Sequence, residues 1–187
     1  MTEFFDRRTI LRLIPLGGAI LAASVGKAHA AGGACSFSRA GRGGPTLAPT
    51  QYAAHIFQQV QAALGVRGLQ IYRSEQVANA AAYPQAGTVL YNPGFLNDLL
   101  RNHPAAPISV LAHEVGHFSQ AGGYAPHAWT RELSADYVSG VAMRRLGYDS
   151  NAASIALQSM FDLYGSPSHP DSPSRINAML SGYRNGQ

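Results

Sequence analysis

Charged residues, cysteine and long apolar runs are all scarce in this sequence. Only 13% of its 187 residues are charged and 46% are hydrophobic, a balance typical of a folded domain rather than a disordered chain. The single cysteine excludes an intramolecular disulfide. The apolar run at residues 13–25 is shorter than the about 20 residues that a membrane-spanning helix needs. We therefore expect one globular domain, without internal repeats and without a transmembrane span.

An excess of basic charge is missing from the body of the chain. The formal net charge is +4, but residues 1–30 supply half of it, and Arg39 and Arg42 lie in a Gly-rich stretch. From residue 50 onward, eight arginines are matched by eight acidic residues. A surface that binds nucleic acid normally carries a clear excess of basic side chains. We therefore expect no nucleic-acid partner.

Residues 1–30 show the order of features found in a bacterial export signal. The sequence DRRTILR at residues 6–12 resembles the twin-arginine signature. The apolar run follows, and AHA at residues 28–30 has the small residues of a cleavage site. These features predict a signal peptide and export to the periplasm or the cell exterior. An amphipathic N-terminal helix of the mature domain is the alternative.

Residues 31–49 are rich in Gly, Ala, Ser and Pro, which predicts a flexible tail ahead of a domain at residues 50–187. Cys35 follows a Gly-Gly-Ala sequence that faintly resembles a lipoprotein box. Gly32 stands where leucine is usual in that box, so we do not expect a membrane tether through Cys35.

Hydrophobic periodicity in the body of the chain predicts an α+β domain that is mostly helical, with a small antiparallel sheet. Thr50 is the expected cap of the first helix. The Ala-rich run at 78–82 also allows a helical turn in place of a strand. We predict helices at residues 50–64, 95–101, 108–120, 129–146, 151–164 and 174–183, and strands at 69–73, 76–83 and 87–91.

The sequence HEVGH at residues 113–117 has the HExxH pattern. Residues four apart share one face of a helix, so His113 and His117 can present two imidazoles to one metal ion. Glu114 lies beside that face and leaves the metal position open. This placement suits a general base acting on a metal-activated water. The pattern predicts a zinc site on the helix at 108–120.

Two histidines do not complete a catalytic zinc site, which takes three protein ligands and leaves one position open. Gln120 and Gly123 stand where metzincins have Gly and the third His, so that class is excluded. Glu132 lies 15 positions after His117, on the next predicted helix, and is assigned as the third ligand. Asp136, one turn further, is assigned to accept a hydrogen bond from a ligand imidazole. The alternative for both acids is a solvated helix face.

Several segments together resemble the gluzincin metallopeptidases of the HtpX and CAAX prenyl protease type. They are AHEVGHF at 112–118, ELSAD at 132–136, VANA at 77–80, SHP at 168–170 and RI at 175–176. The resemblance covers about residues 70–180. It departs from the membrane-embedded members in lacking transmembrane helices, which argues against a substrate within the membrane. The spacing between the motif helix and Glu132 is also short.

The resemblance implies a zincin-like fold with one zinc ion and a protein or peptide substrate. It places His169 and Arg175 near the site, where either would bind substrate or stabilise an oxyanion. The alternative for these two residues is a rigid turn and a structural brace. Asn79 and Ala80 would make backbone contacts with an extended peptide added to the edge of the sheet.

An exported zinc-dependent endopeptidase is therefore the leading interpretation. One alternative is a catalytically silent zinc-binding or chaperone-like module on the same scaffold, and another is a zinc hydrolase that cleaves a non-peptide amide. Glu114 discriminates against the silent module, because a structural zinc site needs no base and closes its fourth position with another ligand.

Overall fold

The computed structural model describes residues 35–36, 47–119, 127–159 and 164–186. The predicted signal peptide, Gly32 and the predicted turn at 122–123 lie outside these residues. So do residue 120 and residues 160–163, which belong to the predicted ends of two helices. No helix among the described residues is long and apolar enough to cross a membrane.

The described residues form four strands and six α-helices, which confirms the mostly helical α+β class. The strands are β1 (Cys35–Ser36), β2 (Gln70–Arg73), β3 (Ala80–Tyr83) and β4 (Thr88–Tyr91). The helices are α1 (Gln51–Leu64), α2 (Pro93–Asn102), α3 (Ala106–Gly116), α4 (Ala128–Arg145), α5 (Ser150–Ser159) and α6 (Ser172–Asn185).

Polar side chains set where several of these helices begin. The Thr50 hydroxyl accepts a hydrogen bond from the backbone N–H of Ala53, which confirms the predicted cap of α1. Asn92 caps α2 in the same way through the N–H of Phe95. Asp171 caps α6, the helix that brings Arg175 into the interior.

The sheet is mixed, so the predicted antiparallel sheet is wrong in this respect. Its strand order is β1-β3-β4-β2, with β2 and β4 parallel and the other two pairs antiparallel. β3 and β4 form a hairpin around a 3₁₀ turn at Pro84–Ala86, and β4 inserts between β3 and β2. Alternation of apolar residues marks strands but carries no information on strand order, so the sequence did not show this arrangement.

Two parts of residues 31–49, predicted as a tail, join this sheet. Cys35–Ser36 pairs with β3, and Leu47 forms an isolated antiparallel bridge with Arg73 of β2. These contacts use backbone groups, so they leave no mark in the hydrophobic pattern.

Helix α3 is the centre of the domain, because every one of its residues is buried. It packs against α1, α2, α4, α5 and β3. Its contact with α4 is close: a Cβ added to Gly116 would lie 2.9 Å from the backbone of Ala135. Ser139 of α4 also donates a hydrogen bond of 2.8 Å to the carbonyl of Ser109. Small residues therefore bring α4 against the motif helix.

Gly140 of α4 contacts α6, although its position in the sequence suggests a contact with the motif helix. The sequence groups it with Ala135 and Ser139 on the face toward the motif helix. In the structure, a Cβ at Gly140 would collide with the backbone of Met179 and Tyr183 in α6. Gly182 of α6 meets the backbone of Tyr137 in return. These two glycines let α4 and α6 approach closely, which positions α6 beside the metal ligands.

Candidate metal centre

The two motif histidines lie together at the end of α3. His113 is in the last turn of the helix and His117 caps its C-terminus. Their Nε2 atoms are 3.1 Å apart, and the two rings meet edge to face. Both residues are at most 2% exposed. The four-residue spacing thus directs two nitrogen donors to one buried point, as predicted.

Glu132 reaches the same point from α4. Its Oε2 atom is 3.4 Å from Nε2 of His113, and its Oε1 atom is 3.7 Å from Nε2 of His117. Glu132 is 2% exposed. Together the three residues form a buried group whose donor atoms could hold one metal ion. The ligand set assigned from the sequence is therefore the set that the fold brings together.

Asp136 orients the first of these ligands. Its Oδ1 atom lies 2.7 Å from Nδ1 of His113, and the residue has no exposed surface. A carboxylate at that distance holds a proton on Nδ1, which leaves the lone pair of Nε2 free to bind a metal ion. The contact matches the role that the sequence assigned to Asp136.

Arg175 of α6 holds Asp136 in turn. Its Nε and Nη2 atoms donate hydrogen bonds of 2.8 and 2.9 Å to the two carboxylate oxygens of Asp136. Nη2 is also 3.9 Å from Glu132 Oε2. A paired arginine and carboxylate fixes geometry as well as charge. Two of the guanidinium nitrogens are thus engaged with Asp136, so the contacts favour the structural brace over direct binding of substrate.

We expect replacement of Arg175 by methionine to destabilise the protein. The change keeps much of the side-chain volume but removes the partner of a fully buried carboxylate, which costs about 3–5 kcal/mol in comparable cases. Urea unfolding measures this loss. The matched control is Arg184→Met, an exposed position on the same helix, for which we expect a change within about 0.5 kcal/mol. Equal stabilities of the two variants would contradict the brace.

Glu114, like Asp136, is a buried acid of the site that does not belong to the ligand group. It has no exposed surface, and neither of its oxygens meets full hydrogen-bond geometry with a described residue. Burial raises its pKa to about 8, an effect that the charge of Glu132 reinforces. The charges of His113 and Arg175 and the backbone of Ala82 oppose that rise in pKa. A metal ion held by the three donors would lower this pKa, because a nearby cation favours the ionised carboxylate.

Charge couples the ligands to one another. Burial lowers the pKa of His113, but Asp136 and Glu132 outweigh burial and raise it overall. Burial and the neighbouring charge on His113 lower the pKa of His117. Burial raises the pKa of Glu132, but the two histidines outweigh it and lower that pKa. Glu132 and Asp136 carry two negative charges, which Arg175 and a protonated His113 balance; a metal ion would take the place of the His113 proton.

His169 approaches the centre from the turn that precedes α6. Its Nε2 atom is 3.6 Å from Oε2 of Glu132, and 22% of its side chain is exposed. The turn is braced by two backbone hydrogen bonds between Ser166 and His169 and by the indole N–H of Trp129, which donates to the carbonyl of Ser166. His169 does not belong to the group of mutually close donor atoms. It therefore borders the metal centre without completing it.

Asn79 and Ala80 lie at the start of β3, close to the motif helix. Both are buried, and the carbonyl of Asn79 already accepts a hydrogen bond of 2.6 Å from the N–H of Asn92. Ala80 pairs with Tyr91 of β4. The outer edge of β3 is covered by β1 at Ala81 and Ala82, a contact that sequence reasoning missed.

The pairing of Arg175 with Asp136 was also missed. The two residues are 39 positions apart in the sequence. The sequence around an aspartate does not show whether its carboxylate faces solvent or a distant arginine. One signal could have indicated the pairing. Acidic residues are scarce in this chain, and Asp136 lies between small and apolar neighbours. Such a carboxylate is expected to be buried, and a buried carboxylate requires a partner.

Comparisons of the chain with models of known protein families, with curated proteins and with solved structures found no match. The likeness to gluzincins therefore remains a prediction from the residues quoted above. What the fold itself establishes is a buried group of two histidines and one glutamate that could hold a metal ion.

Proposed function

We propose that this protein is an exported zinc-dependent endopeptidase of the gluzincin type. The observation that carries the proposal is the position of Glu114: a fully buried acid, next to His113 in the chain, lies beside three donors that could hold an ion and is not one of them. A site that served only to stabilise the fold would need no such acid. Cleavage of an unfolded protein by the zinc-loaded chain, with Glu114→Gln as the inactive variant, tests the proposal.

The spacing of the donors supports zinc. Zinc lies about 2.0–2.2 Å from imidazole nitrogens and carboxylate oxygens in tetrahedral sites, which separates neighbouring ligand atoms by about 3.3–3.6 Å. The two Nε2 atoms are 3.1 Å apart, and Glu132 lies 3.4 Å from His113 through Oε2 and 3.7 Å from His117 through Oε1. Two imidazoles and one carboxylate also suit zinc better than magnesium or calcium, which prefer oxygen donors.

Bound zinc would supply a Lewis acid that acidifies a water molecule and polarises the carbonyl of the scissile bond. In the proposed reaction, Glu114 accepts a proton from the attacking water and delivers it to the nitrogen of the leaving amine. Asp136 keeps His113 in the tautomer whose Nε2 faces the centre, and Arg175 keeps Asp136 in place. His169, the most exposed of these groups, is the proposed contact for the substrate.

A silent zinc module is the competing function, and it would close the fourth position with another protein ligand. His169 has suitable chemistry and lies 3.6 Å from Oε2 of Glu132, but it is not one of the three mutually close donors. This arrangement favours an open position and hence an enzyme. Zinc binding without cleavage would support the silent module.

Export rests on the N-terminal sequence. Replacing Arg7 and Arg8 together by lysine is expected to stop export and leave the protein in the cytoplasm, because the receptor reads the arginine pair. Fractionation of bacterial cells that express each variant measures the distribution. Arg12→Lys is the matched control and is expected to be exported normally. Export of the paired variant at the normal level would contradict the twin-arginine route.

A further inference from the structure

The metal centre is closed to a large substrate in this structure. His113, Glu114, His117 and Glu132 are each at most 2% exposed. An endopeptidase has to bring the backbone carbonyl of another chain to these groups. If the proposed function is right, part of the protein that now covers the centre must give way when substrate binds.

Strand β3 is the part of the sheet that borders this centre. It packs against α3, the helix that carries His113 and Glu114. One edge of β3 is used along its length by β4, from Ala80 paired with Tyr91 to Tyr83 paired with Thr88. An extended peptide that adds to the sheet near the centre must therefore use the other edge.

That other edge already holds a strand from the N-terminal part of the same chain. Cys35 is the register partner of Ala82, and Ser36 is the register partner of Ala81, in antiparallel orientation. A strand edge pairs with one neighbour at a time, so a substrate cannot pair with Ala81 and Ala82 while β1 is in place. The two residues that β1 covers thus belong to the strand that packs against the motif helix.

We infer that Cys35–Ser36 is an intramolecular inhibitor, which occupies the place on β3 where an extended peptide substrate pairs. The inference rests on the proposed function for its biological meaning, since it names how access to that site is regulated. It rests on the backbone pairing of β1 for its physical basis.

A strand of two residues is well suited to this role, because it is held by few hydrogen bonds and can be displaced. Its attachment to the chain keeps its effective concentration high, which compensates for the weak pairing. A longer peptide can form more backbone hydrogen bonds with the same edge and so compete with it. Occupancy of this kind raises the apparent KM of the enzyme and leaves kcat unchanged.

The test compares two double variants of the full-length chain. Cys35→Pro with Ser36→Pro removes both backbone donors of β1, and Cys35→Ala with Ser36→Ala removes both side chains but keeps the donors. The probe is a fluorescein-labelled peptide with the sequence of residues 31–40, and a scrambled peptide is the control. Both double variants carry Glu114→Gln, so that binding is measured without cleavage.

We expect the proline variant to bind the probe about tenfold more tightly than the alanine variant, because its edge of β3 is free. When the two double variants retain Glu114, we expect the proline variant to have an apparent KM about three- to tenfold lower than the alanine variant, with the same kcat. Equal affinity of the two variants for the probe would overturn the inference, whatever their activity. A difference in binding with no cleavage by either variant would show that β1 competes for the edge of β3, but it would defeat the proposed function and with it the inhibitory role.

Discussion

Replacing Glu114 with glutamine is expected to leave one zinc ion per chain and to lower kcat/KM by about a thousandfold or more. The substitution keeps the size of the side chain and removes its capacity to accept a proton. Glu114 lies outside the group of donor atoms, so its loss should not release the ion. Zinc analysis and cleavage of casein, compared for wild type and variant, give the two quantities.

The matched control is Glu75→Gln, an exposed glutamate in the turn after β2. It changes the same functional group and is expected to have wild-type activity. Activity of Glu114→Gln equal to that of the control would eliminate Glu114 as the base. Zinc binding without cleavage by the wild type, whether or not the β1 pairing is broken, would move the interpretation to a silent zinc module.

Replacing His113 with alanine is expected to remove the zinc and, with it, the activity. The substitution deletes one of the three donors of the zinc site. It also leaves Asp136 without its imidazole partner, so the support that Asp136 gives to the site is lost as well. We expect zinc content to fall from one ion per chain to a small fraction of that value, at least about a hundredfold loss of affinity. Metal analysis after dialysis against a zinc buffer measures it.

His55→Ala is the control for this experiment, because His55 lies exposed on α1 and outside the ligand group. It is expected to retain the full zinc content and activity. Urea unfolding of the zinc-free proteins separates loss of the ligand from loss of the fold. Retention of zinc by a folded His113→Ala protein would contradict the assigned centre.

The ligands of the centre could be predicted because their signal is local. His113, Glu114 and His117 lie within one turn of a helix, so their spacing fixes their relative positions. Glu132 and Asp136 share a face of the next helix, and that helix begins only a short distance along the chain. The tight packing of Gly116 against Ala135 then brings the two helices together.

Features that depend on distant parts of the chain could not be predicted in the same way. Arg175 reaches Asp136 only because α6 packs closely on α4, through glycines whose partners the sequence does not indicate. The parallel pairing of β2 with β4 follows from strand order, which alternation of apolar residues does not encode. The pairing of β1 with β3 uses backbone groups that every sequence possesses.

The residues of the centre come from three different helices, so the pattern of one helix cannot predict the whole centre. Helix α3 provides two imidazoles and the acid, α4 provides the third donor and the carboxylate, and α6 provides the guanidinium. Burial makes these groups depend on one another, because an unpaired charge in the interior is costly. A substitution of Arg175 is therefore expected to affect the residues of the ligand group, through Asp136 and His113.

The most direct test of the metal centre is an anomalous difference map from crystals of the zinc-loaded protein, recorded on both sides of the zinc absorption edge. We predict a single peak at bonding distance from Nε2 of His113, Nε2 of His117 and a carboxylate oxygen of Glu132, with a water as the remaining ligand. A peak that excludes Glu132, a fourth protein ligand in place of the water, or no peak at these residues would contradict the proposed enzyme.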